Sequence, residues 1–146
     1  MFNGYSNVNE WFTADVSNET INCTTFSDLS QGESVNLEKS LRLNQGIDGH
    51  LVSGHVDGVG KVQSINKDGD STRIKILVEI DLIKYIAKKG SICINGVSLT
   101  VNSVEGNIFD VNIVPHTFSV TTLGDLSIGS NVNLEIDLIA RYVEKL

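Results

Sequence analysis

The strongest constraint on the fold is that the chain repeats itself at one fixed interval. Phe12-Thr-Ala-Asp-Val-Ser-Asn-Glu-Thr20 aligns with Phe109-Asp-Val-Asn-Ile-Val-Pro-His-Thr117. Thr24-Thr25 matches Thr121-Thr122, Asp28-Leu-Ser30 matches Asp125-Leu-Ser127, and Gly32 matches Gly129. Val35-Asn-Leu-Glu38 matches Val132-Asn-Leu-Glu135, and every pair is 97 positions apart. That interval is too long for a solenoid unit and reads as duplication of a whole domain. Residues 50–107 of the second copy would need partners before residue 11, where only ten residues stand. The expected organisation is therefore a shortened first repeat over 1–43, a complete second repeat over 44–137, and a terminal helix over 138–146.

Period-two alternation dominates the complete copy. Residues 72–80 place Ile74, Ile76, Val78 and Ile80 on one face and Arg73, Lys75 and Glu79 on the other, a half-buried strand. Residues 59–65 precede it, and the Asp-Gly turn between them predicts a hairpin. Residues 81–89 change period: Leu82, Ile83 and Ile86 share a helical face, with Gly90 as the stop. Strands are expected at 91–95, 97–104, 108–114 and 131–137, with an Asn-Gly pair between the first two. Pro115 opens a short connection reaching Leu123, and the tail reads as helical. Short strands with frequent glycine turns predict an all-β fold, a small antiparallel barrel.

Composition removes several functions. Eighteen acidic against eleven basic residues give a net charge of -7, the wrong sign for a nucleic-acid footprint. No window approaches a membrane span, and no basic-then-apolar start suggests a secretory signal. The chain reads as cytoplasmic, with Cys23 and Cys93 reduced, too far apart in sequence for a metal motif, and serving as small apolar residues.

A few polar side chains remain as candidates. Ser98 and Thr100 share one face of their strand while Val97, Leu99 and Val101 share the other. With the apolar face inward, the hydroxyls offer uncharged donors and acceptors to a ligand, or are ordinary strand filling. His50 and His55, five apart on a predicted strand, face opposite sides, so sharing one metal ion is disfavoured. His55 would share a face with Ser53 and Asp57. Asp137 stands where it would N-cap the terminal helix, and Lys89 where it would be a solvated helix-end lysine.

Four motifs in order resemble the α-type riboflavin synthases: Gly49-His-Leu-Val-Ser-Gly-His-Val-Asp57, Asn95-Gly-Val-Ser-Leu-Thr-Val101, Ile113-Val-Pro-His-Thr117 and Asn133-Leu-Glu-Ile-Asp137. Residues 12–38 resemble the end of that family's N-terminal barrel. The resemblance implies six-stranded antiparallel Greek-key barrels, here one complete and one partial, and a C-terminal helix that helps assemble a homotrimer. It implies a cofactor-free, metal-free reaction in which two molecules of 6,7-dimethyl-8-ribityllumazine exchange a four-carbon unit. The products are riboflavin and 5-amino-6-(D-ribitylamino)uracil. Each site would form between the N-terminal barrel of one subunit and the C-terminal barrel of a neighbour, with no nucleic acid or membrane partner.

The same resemblance implies catalytic roles for His55, Ser98 and Asp137. Substrate contacts are implied at Gly54, His55, Val56, Lys89, Ser98, Leu99 and Thr100, and along Val114, Pro115, His116, Thr117, Phe118 and Ser119. In the first copy they are implied at Ser17, Asn18, Glu19, Thr20, Ile21 and Asn22, and at Gly4, Tyr5 and Ser6. Met1-Phe-Asn-Gly4 echoes the family's usual Met-Phe-Thr-Gly start; alternatively Asn3-Gly-Tyr-Ser6 is a shortened form of the first barrel's Asn-Gly-Val-Cys motif. The rival expectations are a lumazine- or flavin-binding module without turnover, and an inactive fragment.

Overall fold

The computed structural model describes residues 11–47 and 49–145. Six strands, β1 (Gly58–Asp68), β2 (Ser71–Leu77), β3 (Ser91–Ile94), β4 (Val97–Glu105), β5 (Ile108–Ile113) and β6 (Asn131–Ile136), close into a barrel. The order is β1-β2-β5-β4-β3-β6, and every pairing is antiparallel. β6 returns beside β3, so β6-β3-β4-β5 is a Greek key. Closure leaves no edge strand exposed. The predicted all-β barrel is therefore the observed one.

Turn chemistry sets the hairpins. Ile94 pairs with Val97, leaving Asn95 (φ 47°) and Gly96 (φ 83°) as a two-residue loop. Both residues are left-handed, which Asn-Gly tolerates and which matches the strand twist. Ile74 and Ile76 of β2 point inward beside Phe109 and Val111 of β5. With Ile92, Ile94, Val101, Val132, Leu134 and Ile136 they form a core in which every side chain is almost fully buried.

Three expected elements differ. The strand over 72–80 stops at Leu77, and Ile80 opens the helix α2 (Ile80–Ile83), 72% exposed. At Leu77 both ladders reach their last pair, with Lys61 of β1 and with Ile108, the first residue of β5. The helix expected over 81–89 is only this single turn. Lys89 N–H donates to Val101 O (2.8 Å) and Val101 N–H to Gly90 O (2.9 Å), drawing the chain into sheet pairing. Lys89, not Gly90, takes the left-handed conformation (φ 68°).

The third difference concerns the first copy. Residues 11–47 hold one helix, α1 (Asn18–Cys23), and a 3-10 turn (Thr25–Asp28), with no strand among those described. The expected partial second barrel is not formed. The local folding of the copies nevertheless matches. In the second copy, helix α3 (Pro115–Val120) leads into a 3-10 turn (Thr122–Asp125). Thr24 Oγ1 donates to Thr20 O and accepts from Phe26 N–H; Thr121 Oγ1 donates to Thr117 O and accepts from Leu123 N–H. Gly32 and Gly129 adopt φ of 93° and 94°.

The first copy docks on the second by a reciprocal exchange. Asn133 Oδ1 accepts from Thr25 N–H (2.8 Å), and Asn36 Oδ1 accepts from Thr122 N–H (2.8 Å). The partners exchange under the repeat, Thr25 for Thr122 and Asn36 for Asn133, which is the signature of a two-fold relation. Asn36 Nδ2 also donates to Asn95 O (2.8 Å) and Thr122 Oγ1 (3.0 Å). The tail forms α4 (Leu138–Val143), capped by Asp137, with Ile139, Tyr142 and Val143 exposed. No helix among the described residues is long and apolar enough to cross a membrane.

Candidate functional site

Strand register lays out a row of side chains on the outside of the barrel. Glu135 of β6 pairs with Cys93 of β3, and Cys93 with Ser98 of β4. Paired residues share a face, and Ile92, Ile94, Leu134 and Ile136 on either side of the row fill the core. Glu135, Cys93 and Ser98 therefore point outward.

Residues 49–55 form a strap attached to both ends of this row. At one end, Ser98 Oγ lies 2.7 Å from His50 Nδ1 and accepts from His50 N–H (3.3 Å). Gly49 makes this approach possible. Its φ is +91°, and a Cβ there would stand 2.4 Å from Ser98 Oγ. At the other end, Glu135 Oε1 accepts from Ser53 N–H and from Ser53 Oγ–H, each at 2.7 Å. Glu135 Oε2 accepts from Gly54 N–H at 3.0 Å. Glu135 is only 5% exposed, so these three donors replace the water it has lost.

Cys93, between the anchors, is 2% exposed. Burial first, and the neighbouring Glu135 carboxylate second, push its thiol up to about 12. It carries no thiolate near neutral pH and is no nucleophile.

The strap corrects the sequence-based placement of the histidines. Residues 50–57 were expected to form a strand, but β1 begins at Gly58. The N–H groups of Ser53 and Gly54 are spent on a side chain rather than a ladder, and Gly49 and Gly54 take positive φ. His50 and His55 separate by partner: His50 bonds Ser98, while His55 Nδ1 lies 3.2 Å from Ser53 Oγ. Among the described residues no three His, Cys, Asp or Glu side chains are grouped to hold a metal. His50 Nε2 is buried without a hydrogen-bond partner, whereas His55 is an exposed residue.

The remaining candidates fall into separate groups. Thr100 is exposed, opposite Ser91, and Lys89 reaches the same end of β4 through its bond to Val101. Leu99 packs against the core, so only its backbone faces the strap side. Val56 is half-buried beside His55. Asp57 accepts from Ile136 N–H (2.8 Å) and pairs with Arg141, tying the end of the strap to α4. Asp137 Oδ1 accepts from Ile139 N–H (3.0 Å), so the capping role is realised.

Val114 to Ser119 form a second group, on and just before α3. Pro115 opens α3, Phe118 sits under the Lys67 ammonium (5.6 Å), and Ser119 Oγ donates to His116 O (2.8 Å). No hydrogen bond joins α3 to the strap among the described residues. Ser17 caps α1 by accepting from Thr20 N–H (3.1 Å), and Asn18, Glu19, Ile21 and Asn22 follow on that helix. Gly4, Tyr5 and Ser6 lie outside the described residues. Sequence reasoning passed over Ser53 and Glu135 as site elements. Glu135 occupies a solvent-side position in its alternation, and nothing local shows that a distant strap covers it.

A closed six-stranded antiparallel barrel carries hydroxyls, imidazoles and a buried carboxylate on its outer wall. The lumazine binding domain model matches residues 53–137, and the chain belongs to that family. It is 47% identical over 135 residues to the riboflavin synthase of Photobacterium leiognathi, covering 92% of this chain and 62% of that protein. It is 42% identical to that of Brucella abortus (strain 2308), covering 93% and 67%. A crystal structure of LumP complexed with riboflavin superposes with a TM-score of 0.75 and 33% identity, over 81% of this chain and 64% of that one. The chain thus spans between 62% and 67% of the length of these relatives.

Proposed function

We propose that this chain provides a lumazine-binding half-site of a riboflavin synthase. In that reaction two 6,7-dimethyl-8-ribityllumazine molecules exchange a four-carbon unit, giving riboflavin and 5-amino-6-(D-ribitylamino)uracil. The atoms balance between two identical substrates, so no external oxidant or cofactor enters. The observation that carries this reading is the strap, which holds His50 on Ser98, Gly54 on Glu135 and His55 on Ser53. Identity of 38–47% to proteins named riboflavin synthase supports it.

On this reading the ligand lies along the outer wall, touching Gly54, His55, Val56, Ser98, Thr100 and Lys89. Val114 to Ser119 cover its ring, and Asp137 combines its cap with a place near the reacting carbon. A carboxylate and an imidazole there can assist removal of the weakly acidic C7-methyl proton. Residues 1–43 and 44–137 are the two repeats, and Ser17 to Asn22 belong to the half-site facing a neighbouring subunit. The exposed Ile139, Tyr142 and Val143 of α4 suit a homotrimer contact. The free thiols of Cys23 and Cys93 suit a cytosolic protein.

Similarity to LumP, solved with riboflavin and with 6,7-dimethyl-8-(1'-D-ribityl) lumazine, favours a second reading, binding without turnover. One assay tests both. Pure protein is incubated with the lumazine while riboflavin absorbance and ligand fluorescence are followed. Riboflavin above the spontaneous rate supports the enzyme, and quenching without product supports the binder. No change in either signal overturns both.

A further inference from the structure

We propose that Glu135 and Ser53 fix the tautomer of His55, so that its Nε2 lone pair faces the ligand and accepts from a hydroxyl of its polyol chain. The tautomer follows from counting hydrogens. Glu135 receives three donors, Ser53 N–H, Ser53 Oγ–H and Gly54 N–H, and acts only as an acceptor. A serine hydroxyl has one hydrogen. At 2.7 Å from Glu135 Oε1 that hydrogen is committed, and Ser53 Oγ is left with lone pairs. His55 Nδ1, 3.2 Å from the same oxygen, must then carry the proton and donate. In the neutral ring this leaves Nε2 bare.

His55 is an exposed residue, at the surface where a ligand can reach it. A bare imidazole nitrogen recognises a donor, and the ribityl hydroxyls of a lumazine or flavin are donors. Free imidazole in water favours the opposite tautomer, so the relay changes what the ring presents. The contrast with His50 shows why the relay matters. Ser98 Oγ has no carboxylate to absorb its hydrogen, so the direction of the His50–Ser98 bond is not set in the same way. Glu135 is thus a positioning residue that acts through Ser53, and of these three side chains only that of His55 touches the ligand. The choice of ligand rests on the proposed function; the tautomer does not.

Long-range 1H–15N NMR of the full chain at mildly alkaline pH tests the tautomer. The expected spectrum shows a protonated Nδ1 and a bare Nε2. Ser53→Ala keeps both backbone donors to Glu135 and removes only the hydroxyl, so the fold is retained while His55 shifts toward the Nε2–H form. Ser53→Thr restores the original pattern. Riboflavin affinity, read by flavin fluorescence, falls about fivefold in Ser53→Ala, the loss of one ordinary hydrogen bond, and recovers in Ser53→Thr. A wild-type ring protonated at Nε2, or a tautomer unmoved by Ser53→Ala, overturns the relay. A moved tautomer with unchanged affinity overturns the ligand contact. The expected tautomer in a protein that binds neither riboflavin nor the lumazine upholds the relay and sinks the functional reading.

Discussion

Residues 35–38 and 132–135 carry the same four side chains, Val-Asn-Leu-Glu, and end in opposite circumstances. In β6, Val132 and Leu134 are fully buried and Glu135 holds the strap. In the first copy, Val35 is 48% and Leu37 63% exposed, and no strand forms. The difference lies in the neighbours. Residues 131–136 lie between β1 and β3, which supply both ladders and a core face. No strand among the described residues pairs with 35–38. Strand propensity is mostly the fit of side chains to a pleated, half-buried surface, and the tetrapeptide alone does not provide one. The helical parts of the two copies agree, because their caps and turns are local: Thr24 and Thr121 make the same two bonds.

The largest test of this contrast is truncation of the matched leucines. Leu134→Ala removes a fully buried side chain and should cost about 2–5 kcal/mol in urea unfolding. Leu37→Ala should stay within about 0.5 kcal/mol, as surface changes do. Equal losses would mean that 35–38 is packed as a strand in solution. The matched glutamates come next. Glu135→Gln deprives the strap of a charged acceptor and should cost about 1–3 kcal/mol, with faster amide exchange at Ser53 and Gly54. Glu38→Gln should be near neutral. Equal exchange rates in Glu135→Gln and the native chain would remove Glu135 as the anchor.

How much of this was legible in the sequence follows the same division. Alternation in 72–77 and 131–136, the Asn95-Gly96 turn and the Asp137 cap are local patterns, and each was readable. The end of β2 at Leu77 was not, because it depends on where the pairing with distant β1 and β5 ends. The site was legible as a set of residue types, not as contacts. Ser98 was singled out for its face of the strand, but its partner His50 lies 48 positions away and had been assigned to a strand of its own. Glu135 looked like an ordinary solvent-side residue until the strap crossed it. The repeat predicted a partial barrel, and what it conserves is the reciprocal docking of Asn36 and Asn133.

That docking gives a smaller prediction. Asn133→Ala removes the acceptor for the half-buried Thr25 N–H and should weaken docking by about 1 kcal/mol, and Asn36→Ala, which also loses two donated bonds, should weaken it more. Proteolysis within 12–47 should speed up in both variants while the barrel amides remain protected. Faster cleavage in only one of them would show that the two-fold exchange is not shared equally.

The smallest effect separates the two regions by pH. Asp68, near the hairpin turn, accepts from Asn112 Nδ2 (2.9 Å) and pairs with Arg73 (2.9 Å). The amide hydrogen bond first, and the guanidinium second, hold its carboxyl below the ordinary value. A carboxyl lowered in the folded state stabilises the fold fully above the ordinary carboxylate range, and loses that contribution as pH falls through the lowered value. The hydrogen bonds of Asn36 and Asn133 that dock the first copy join amides and hydroxyls, which do not titrate. Asp68→Asn should therefore flatten the acid limb of stability against pH by a small amount. Asn36→Ala should lower the whole curve and leave its slope unchanged, because the amide it removes binds and releases no proton.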